Sequence, residues 1–414
     1  MKTKIHGKTY DLSNFKHPGG LIPLYLINGK DGTCLFESYH PVSNKKILNK
    51  ILNKYEIKDD ANIKDEIIYD LSSFSFDAFA NELKNEVFNY FKNISIQNKC
   101  NLIEATKMTI NRKIELIVLF GFFILSLHFF IQNSIFGLFF MPFFLWCLTV
   151  NTYHDISHFA FSSNKYLEIC LLPCHFFIYP PFSWIIDHVY YHHIYTNIPD
   201  IDYDLERYIG FYQEKNHSEN IFLNNPIINI FDFLIFSDKK KDKYRLYNNF
   251  NIIYVSQTII YLIFKVISLK ILFYDKYINY GILYALIFTI IPLIIFVLLF
   301  LIFTQINHIH IENFNFSNKF YRNQIITSYN LCPESFIIRI LSGGLNCQIE
   351  HHLFPSVNSC HLPNLSIIVR KLCRKYNIKY NYSDNILNTI YDVYFTSKKI
   401  NKKNIKKIIK NNQK

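Results

Sequence analysis

Between Ile114 and Phe303 the chain carries four apolar runs of membrane-spanning character, and such runs leave a polypeptide few options. In hydrocarbon every backbone N–H and C=O must be paired, so a lone apolar run crosses as an α-helix. About 20 residues are enough. The candidates are Ile114 to Ile131, Phe136 to Val150, Ile252 to Phe273 and Ile282 to Phe303, which read as two hairpins. Ile169 to Ile186 is apolar too, but Pro173, Pro180 and Pro181 interrupt it. Proline removes backbone donors, so this stretch is expected to be interfacial or re-entrant.

Charge placement orients the spans. "SDKKKDKYR" precedes the third, "SKKINKKNIKKIIKNNQK" closes the chain, and the turns within the hairpins carry few charges. The positive-inside bias therefore puts the N-terminus, the 151–251 loop and the C-terminal segment in the cytosol. The net charge of +12 suits an anionic leaflet. Its lysines are not interleaved with aromatics on a compact fold, so nucleic acid is not an expected partner. The tail, 391–414, reads as a solvated charge run, with headgroup contact as the alternative. Nine scattered cysteines without C-x-x-C predict reduced thiols. The first long apolar stretch comes only after position 113, so no signal peptide is expected. The endoplasmic reticulum is the expected membrane.

Residues 1–62 are polar and read as a small soluble domain, and 63–111 as a tether. Within the tether, "FDAFANELKNEVFNYF" places Phe76, Phe79, Leu83, Val87 and Tyr90 at helical spacing, which predicts an amphipathic helix. With spans beginning soon after, the expectation is a helix on the membrane surface; the alternative is one packed on a globular core.

The 16 histidines carry the chemical signal. "HDISH" holds His154 and His158, "HVYYHH" holds His188, His192 and His193, "QINHIH" holds His308 and His310, and "QIEHH" holds Gln348, His351 and His352. An even number of spans separates the groups, so all emerge on one membrane face. Residues three or four apart share a helix face, which aims His154 with His158, His188 with His192, and Gln348 with His352. Neutral imidazole suits iron, copper, zinc and nickel. One zinc is satisfied by about four ligands, so this set suggests two ions. His308 is favoured over His310. His128 and His175 are expected to be non-ligands, and His217 and His361 solvated. Asp155, Asp187, Glu350 and Asn307 are candidates to orient the imidazoles.

The order HDISH, HVYYHH, QIEHH resembles the three histidine boxes of the membrane fatty acid desaturases. The glutamine heading the third box, with "HHIYTNIPDIDYD" and "QIEHHLFP", is similar to the front-end subgroup, over roughly residues 70 to 380. That resemblance implies an α-helical membrane protein: four transmembrane helices with a cytosolic helical di-iron cap over 112–390. It implies two non-haem irons, O2 as co-substrate, and metal ligation by His154, His158, His188, His192, His193, His308, Gln348, His351 and His352. The second box departs from many members, with three residues before its His pair where two are common.

"HGKTYDLSNFKHPGG" and "GKDGTCLFESYH" resemble a cytochrome b5 domain, a small α+β unit. This resemblance implies haem b with His17 and His40 as axial ligands; Leu21, Leu24, Leu35 and Phe36 could line its pocket. The usual leading helix and strand are missing or reduced, and the interval between the two histidines is one residue short.

A fused haem domain supplies a local electron donor at high effective concentration. The expected activity is front-end desaturation of an acyl-CoA or phospholipid chain, with NAD(P)H electrons arriving through a separate cytochrome b5 reductase. Trp184 and Tyr179 are expected near the membrane interface. Desaturation of sphingoid bases or hydroxylation by the same fold stays open, as does a membrane electron carrier with an inert histidine region. A metal transporter would want its ligands at mid-membrane depth, whereas these lie at span ends.

Overall fold

The computed structural model describes residues 1–58, 63, 68–174, 181–198, 201, 202, 204, 205 and 251–399. Strand Lys2–Ile5 pairs antiparallel with Lys8–Asp11. His6 and Gly7 between them both have positive φ, at 51° and 75°, the backbone of a tight two-residue hairpin. The leading strand of this domain is thus short but present. Helices Ile22–Leu26, Thr33–Tyr39 and Lys45–Leu52 complete the unit around Ile5, Tyr10, Leu12, Leu24 and Leu35.

Helix Ala78–Gln97 follows, capped by Asp77, whose carboxylate accepts the Phe79 N–H. Phe79, Leu83, Val87 and Phe91 are fully buried along one face. That face packs against helix Leu362–Lys375, whose Leu362, Leu365, Val369 and Leu372 form a matching stripe. The apolar face therefore meets protein and not lipid, contrary to the membrane-surface expectation. Burial of each such side chain contributes about 1.5–3 kcal/mol, and a preformed apolar stripe offers drier contact than headgroups. Phe76 lies outside the stripe and is 85% exposed.

Three helices among the described residues are long and apolar enough to cross a membrane: Ile110–Ile131, Ile135–Ser157 and Ile282–Gln305. The expected third span is helical as Asn251–Leu269, continues through a π turn at Lys270–Tyr274 and ends in Asp275–Tyr280. The second of the three long helices packs on both others, and its last turn dips into protein. There Arg112, buried at the base of the first helix, donates to Asn151 Oδ1 at 2.6 Å and Ser359 Oγ at 3.3 Å, and pairs with Glu115 at 3.0 Å. A guanidinium so placed needs all of these acceptors, and they tie two spans to the cap. The Pro-broken stretch forms helix Lys165–Leu171, a 3-10 turn at Leu172–Cys174, and helix Pro181–Trp184 running into π-helix Ile185–His192. His175, Tyr179 and His217 lie outside the described residues. Helix Ile386–Lys399 runs through the expected boundary at position 390; residues 400–414 of the tail lie outside the described residues.

Two expected surface positions are interior. His361 is buried, with its Nε2 at 2.9 Å from the Lys107 carbonyl. Trp184 is buried at 6% exposure, donates to Ser157 Oγ at 3.0 Å, and stacks on the His188 ring. Both sit where the cap closes over helix ends, so residues flanking a predicted loop become core.

The turn before "QIEHH" is set by Gly343 and Gly344, with φ of 65° and 87°. A Cβ on Gly343 would lie 2.4 Å from the Val150 carbonyl oxygen. Gly343→Ala is expected to cost about 1–3 kcal/mol through overpacking and further through its left-handed backbone. A thermal melt of the detergent-solubilised protein should show a lowered Tm; an unchanged Tm contradicts this packing.

Candidate metal centre

The last turn of Ile135–Ser157 projects His154, and His158 follows one turn on; their rings are 4.7 Å apart. The second box lies at the end of the π-helix, where the His193 N–H donates to the His188 carbonyl. Hydrogen bonding over five residues, instead of four, widens the turn. It brings His193 to the same side as His188 and His192, so the extra residue in the box is absorbed by helix type. His308 emerges just past Gln305, and helix Gln348–Leu353 supplies the rest.

All nine predicted side chains are buried and converge. Ligand atoms of His154, His158, His188 and His351 lie within 4.8 Å of one another, and those of His192, His308 and His352 do likewise. Gln348 Nε2 is 2.8 Å from His308 Nε2 and 3.2 Å from His352 Nε2. Rotating the amide by half a turn would present Oε1 there instead. His193 stands between the groups, with Nε2 3.1 Å from His351 Nε2 and its ring 4.3 Å from that of His352. His310 belongs to neither group; its ring stacks on Tyr329 at 3.7 Å.

Outer contacts turn the rings inward. His188 Nδ1–H donates to Asp204 Oδ2 at 2.9 Å and His192 Nδ1–H to Asp202 Oδ2 at 3.0 Å. His308 Nδ1–H donates to the Thr327 carbonyl at 3.3 Å, and His352 Nδ1–H to Thr196 Oγ1 and Gln324 Oε1 at 3.1 and 3.2 Å. His158 Nδ1 meets the Tyr39 hydroxyl at 2.8 Å. Meanwhile His154 Nε2, His158 Nε2, His188 Nε2 and Gln348 Oε1 are buried with no hydrogen-bond partner. Buried polar atoms are normally satisfied, so orphaned Nε2 atoms aimed at a shared space fit metal coordination.

Electrostatics agree. Burial pushes His158, His193, His308, His351 and His352 well below the usual imidazole range, which keeps them neutral, the ligating form. His192 is raised: burial pulls it down, but the Asp202 carboxylate outweighs that.

Three of the four expected orienting residues act elsewhere. Asp155 accepts from Asn358 Nδ2 at 2.9 Å and Ser359 Oγ at 2.8 Å. Glu350 accepts from Asn330 Nδ2 at 2.8 Å and the Tyr380 hydroxyl at 2.9 Å. Asn307 donates to the Leu345 carbonyl at 2.8 Å, and Asp187 is fully buried in the π-helix. Neighbours of ligands on a helix point to its other faces. The carboxylates that do hold imidazoles, Asp202 and Asp204, come from "PDIDYD" just after the second box. That acidic run was visible in the sequence; its return onto the box was not.

In the N-terminal domain the rings of His17 and His40 stand edge to face, 6.0 Å apart between centroids with their planes at 88°. That leaves room for one metal ion with a bond of about 2 Å to each. His40 Nδ1–H donates to the Phe36 carbonyl at 2.8 Å, leaving Nε2 for a metal, while His17 Nδ1 accepts the Gly19 N–H at 3.1 Å. Ligation through His17 Nε2 requires its ring proton to move to Nδ1 and that contact to open. Burial holds His17 down at about 4. Leu24 and Leu35 are buried, Phe36 lies 4.6 Å from the His40 ring, and Leu21 is 43% exposed.

Helices apolar enough to cross a membrane, a buried two-group imidazole cluster at their ends and a second imidazole pair in the N-terminal domain are the features of a membrane protein equipped to hold metal. The chain matches the family model described as "Fatty acid desaturase" over residues 130–384 and that described as "Cytochrome b5-like Heme/Steroid binding domain" over residues 3–60. It belongs to the fatty acid desaturase family. Among its relatives, the acyl-lipid omega-13 desaturase of Chlamydomonas reinhardtii is 24% identical, with 90% of this chain and 88% of that one covered. The probable Delta(5) fatty acid desaturase C of Dictyostelium discoideum is 28% identical, with 90% and 86% covered. The Delta(8)-fatty-acid desaturase of Helianthus annuus is 27% identical, with 90% and 82% covered. No solved structure matches the chain. The family implies a di-iron centre with O2, and the N-terminal domain implies haem.

Asp202→Asn and Asp204→Asn should each weaken metal affinity about 10- to 100-fold, the usual cost of removing an orienting partner. Iron retained after dialysis against a chelator, measured by elemental analysis, checks this; wild-type retention contradicts the orienting role.

Proposed function

We propose that the chain is a front-end acyl desaturase: it sets a double bond between an existing one and the carboxyl end of a lipid acyl chain. The observation that carries this reading is the pair of buried imidazole groups turned on a shared space, in which the Nε2 atoms of His154, His158 and His188 and the Oε1 of Gln348 have no hydrogen-bond partner. His154, His158, His188 and His351 would hold one iron, and His192, His308, His352 and Gln348 the other, with His193 available to either. Reduced, the iron pair supplies the power to activate O2 and break an unactivated C–H bond. The protein's own part is to hold neutral ligands in place through Asp202, Asp204, Thr196 and Gln324, and to keep the space around them dry. Imidazole and amide ligands bring no charge, so the site retains the full positive charge of its metal.

Further parts of the reading rest on charge and hydropathy. Four spans would carry the desaturase domain, with the site and both termini cytosolic in the endoplasmic reticulum membrane. The acyl tail would enter from the bilayer between spans, as a CoA ester or a phospholipid. His17 and His40 would bind haem b, which receives NAD(P)H electrons from a cytochrome b5 reductase.

Expression in a host fed polyunsaturated fatty acids tests the proposal. Mass spectrometry should find a new double bond on the carboxyl side of an existing one, and His351→Ala should abolish it. A hydroxylated product or a modified long-chain base would replace this reading, and an iron-loaded protein with no lipid product would overturn it.

A further inference from the structure

His188, His192 and His308 lean on acceptors from the desaturase domain itself, whereas His158 leans on a phenol from the haem domain. Tyr39 Oη is 2.8 Å from His158 Nδ1, and the two rings stack with an interplanar angle of 23°. With Nε2 turned to a metal, Nδ1 carries the ring proton and donates it to the phenol oxygen. The next residue in the chain is His40, the expected haem ligand, anchored on the Phe36 carbonyl. The contact is no isolated touch. Lys30 Nζ donates to the Tyr191 hydroxyl at 2.9 Å and lies over the Tyr190 ring. Glu37 pairs with Lys84 at 2.9 Å and accepts from the Tyr321 hydroxyl at 3.0 Å. Ser356 Oγ donates to the Tyr39 carbonyl at 3.4 Å, only four residues beyond His352. Burial of Glu37 costs it solvation, yet its partners hold its carboxyl at about 2, so this anchor is charged at neutral pH.

The geometry points to Tyr39 as the coupling residue between the two redox centres. It positions His158 and gives each electron a bonded route: His40 ring, one peptide unit, Tyr39 phenol, one hydrogen bond, His158 ring. This rests on the desaturase reading above. Each passage oxidises one ferrous haem to ferric and reduces one non-haem iron from ferric to ferrous; no covalent bond is made or broken. Two passages deliver two electrons. The substrate's two C–H bonds deliver two more with two protons, and two solvent protons complete the reduction of O2 to water. An interdomain dock of fixed geometry replaces a diffusional encounter, so the second electron need not wait for rebinding.

The test uses the full-length holoprotein with its haem reduced anaerobically, mixed rapidly with O2 and an acyl substrate while haem absorbance is followed. His351→Ala sets the background of direct haem oxidation. Tyr39→Phe keeps the ring and removes the hydrogen bond. Reconstituted with saturating iron, it should hold haem and non-haem iron yet reoxidise its haem about tenfold or more slowly, the low end of the activity lost with such a partner. Lys30→Met, which loosens the dock while leaving Tyr39 in place, should slow the same rate. A wild-type reoxidation rate in Tyr39→Phe overturns the proposal. So does a variant that loses iron but transfers at the wild-type rate in its loaded fraction, because Tyr39 then only supports a ligand. Failure of the wild-type haem to reoxidise above background would instead count against the desaturase reading.

Discussion

The structure depends on one constraint: many imidazoles must be buried beside one another and turned toward a shared space by partners on their outer nitrogens. Burying one unpaired polar atom costs free energy, and burying several beside each other compounds it. The fold meets this by assigning outer partners from distant elements. Asp202 and Asp204 come from the loop after the second box, Thr327 and Gln324 from around helix Phe320–Ile326, and Tyr39 from the N-terminal domain. A bound cation would return the desolvation cost as coordination energy.

Several features then have one cause. Other segments must close over the ends of the long helices because the ligating side chains lie there. Arg112 ties two spans to the cap next to His154 and His158. Gly343 lets the turn before "QIEHH" approach the second-span helix at backbone distance, and Gly344 lets it sit against Ser359. Helix Ala78–Gln97 spends its apolar face on Leu362–Lys375, just beyond the last box, and so braces the cap from outside.

Much of this was legible in the sequence. Apolar runs announced the long helices, and boxes placed by span parity announced the convergence, because periodicity and parity are local counts. The register of the second box was not legible: three intervening residues suggest an ordinary helix, and only the π-helix brings His193 round with His188. The true orienting carboxylates were missed for the same reason that Glu350 and Asp155 were chosen. Proximity in sequence was read as proximity to the ring, but a helix points neighbours apart. Tyr39 lay beside a predicted haem ligand, yet nothing local tells that a residue 119 positions before His158 in the chain will touch it. The face of the amphipathic helix was visible, and its partner, nearly 300 residues away, was not.

The central claim is that these side chains hold a pair of non-haem irons. The most direct measurement is the metal content and Mössbauer spectrum of the purified full-length protein. The account predicts about two irons per chain beyond the haem, in nitrogen-rich high-spin sites, a donor set imidazole favours. A chain that purifies folded with haem but without non-haem iron, or with a single zinc in the histidine cluster, would contradict it.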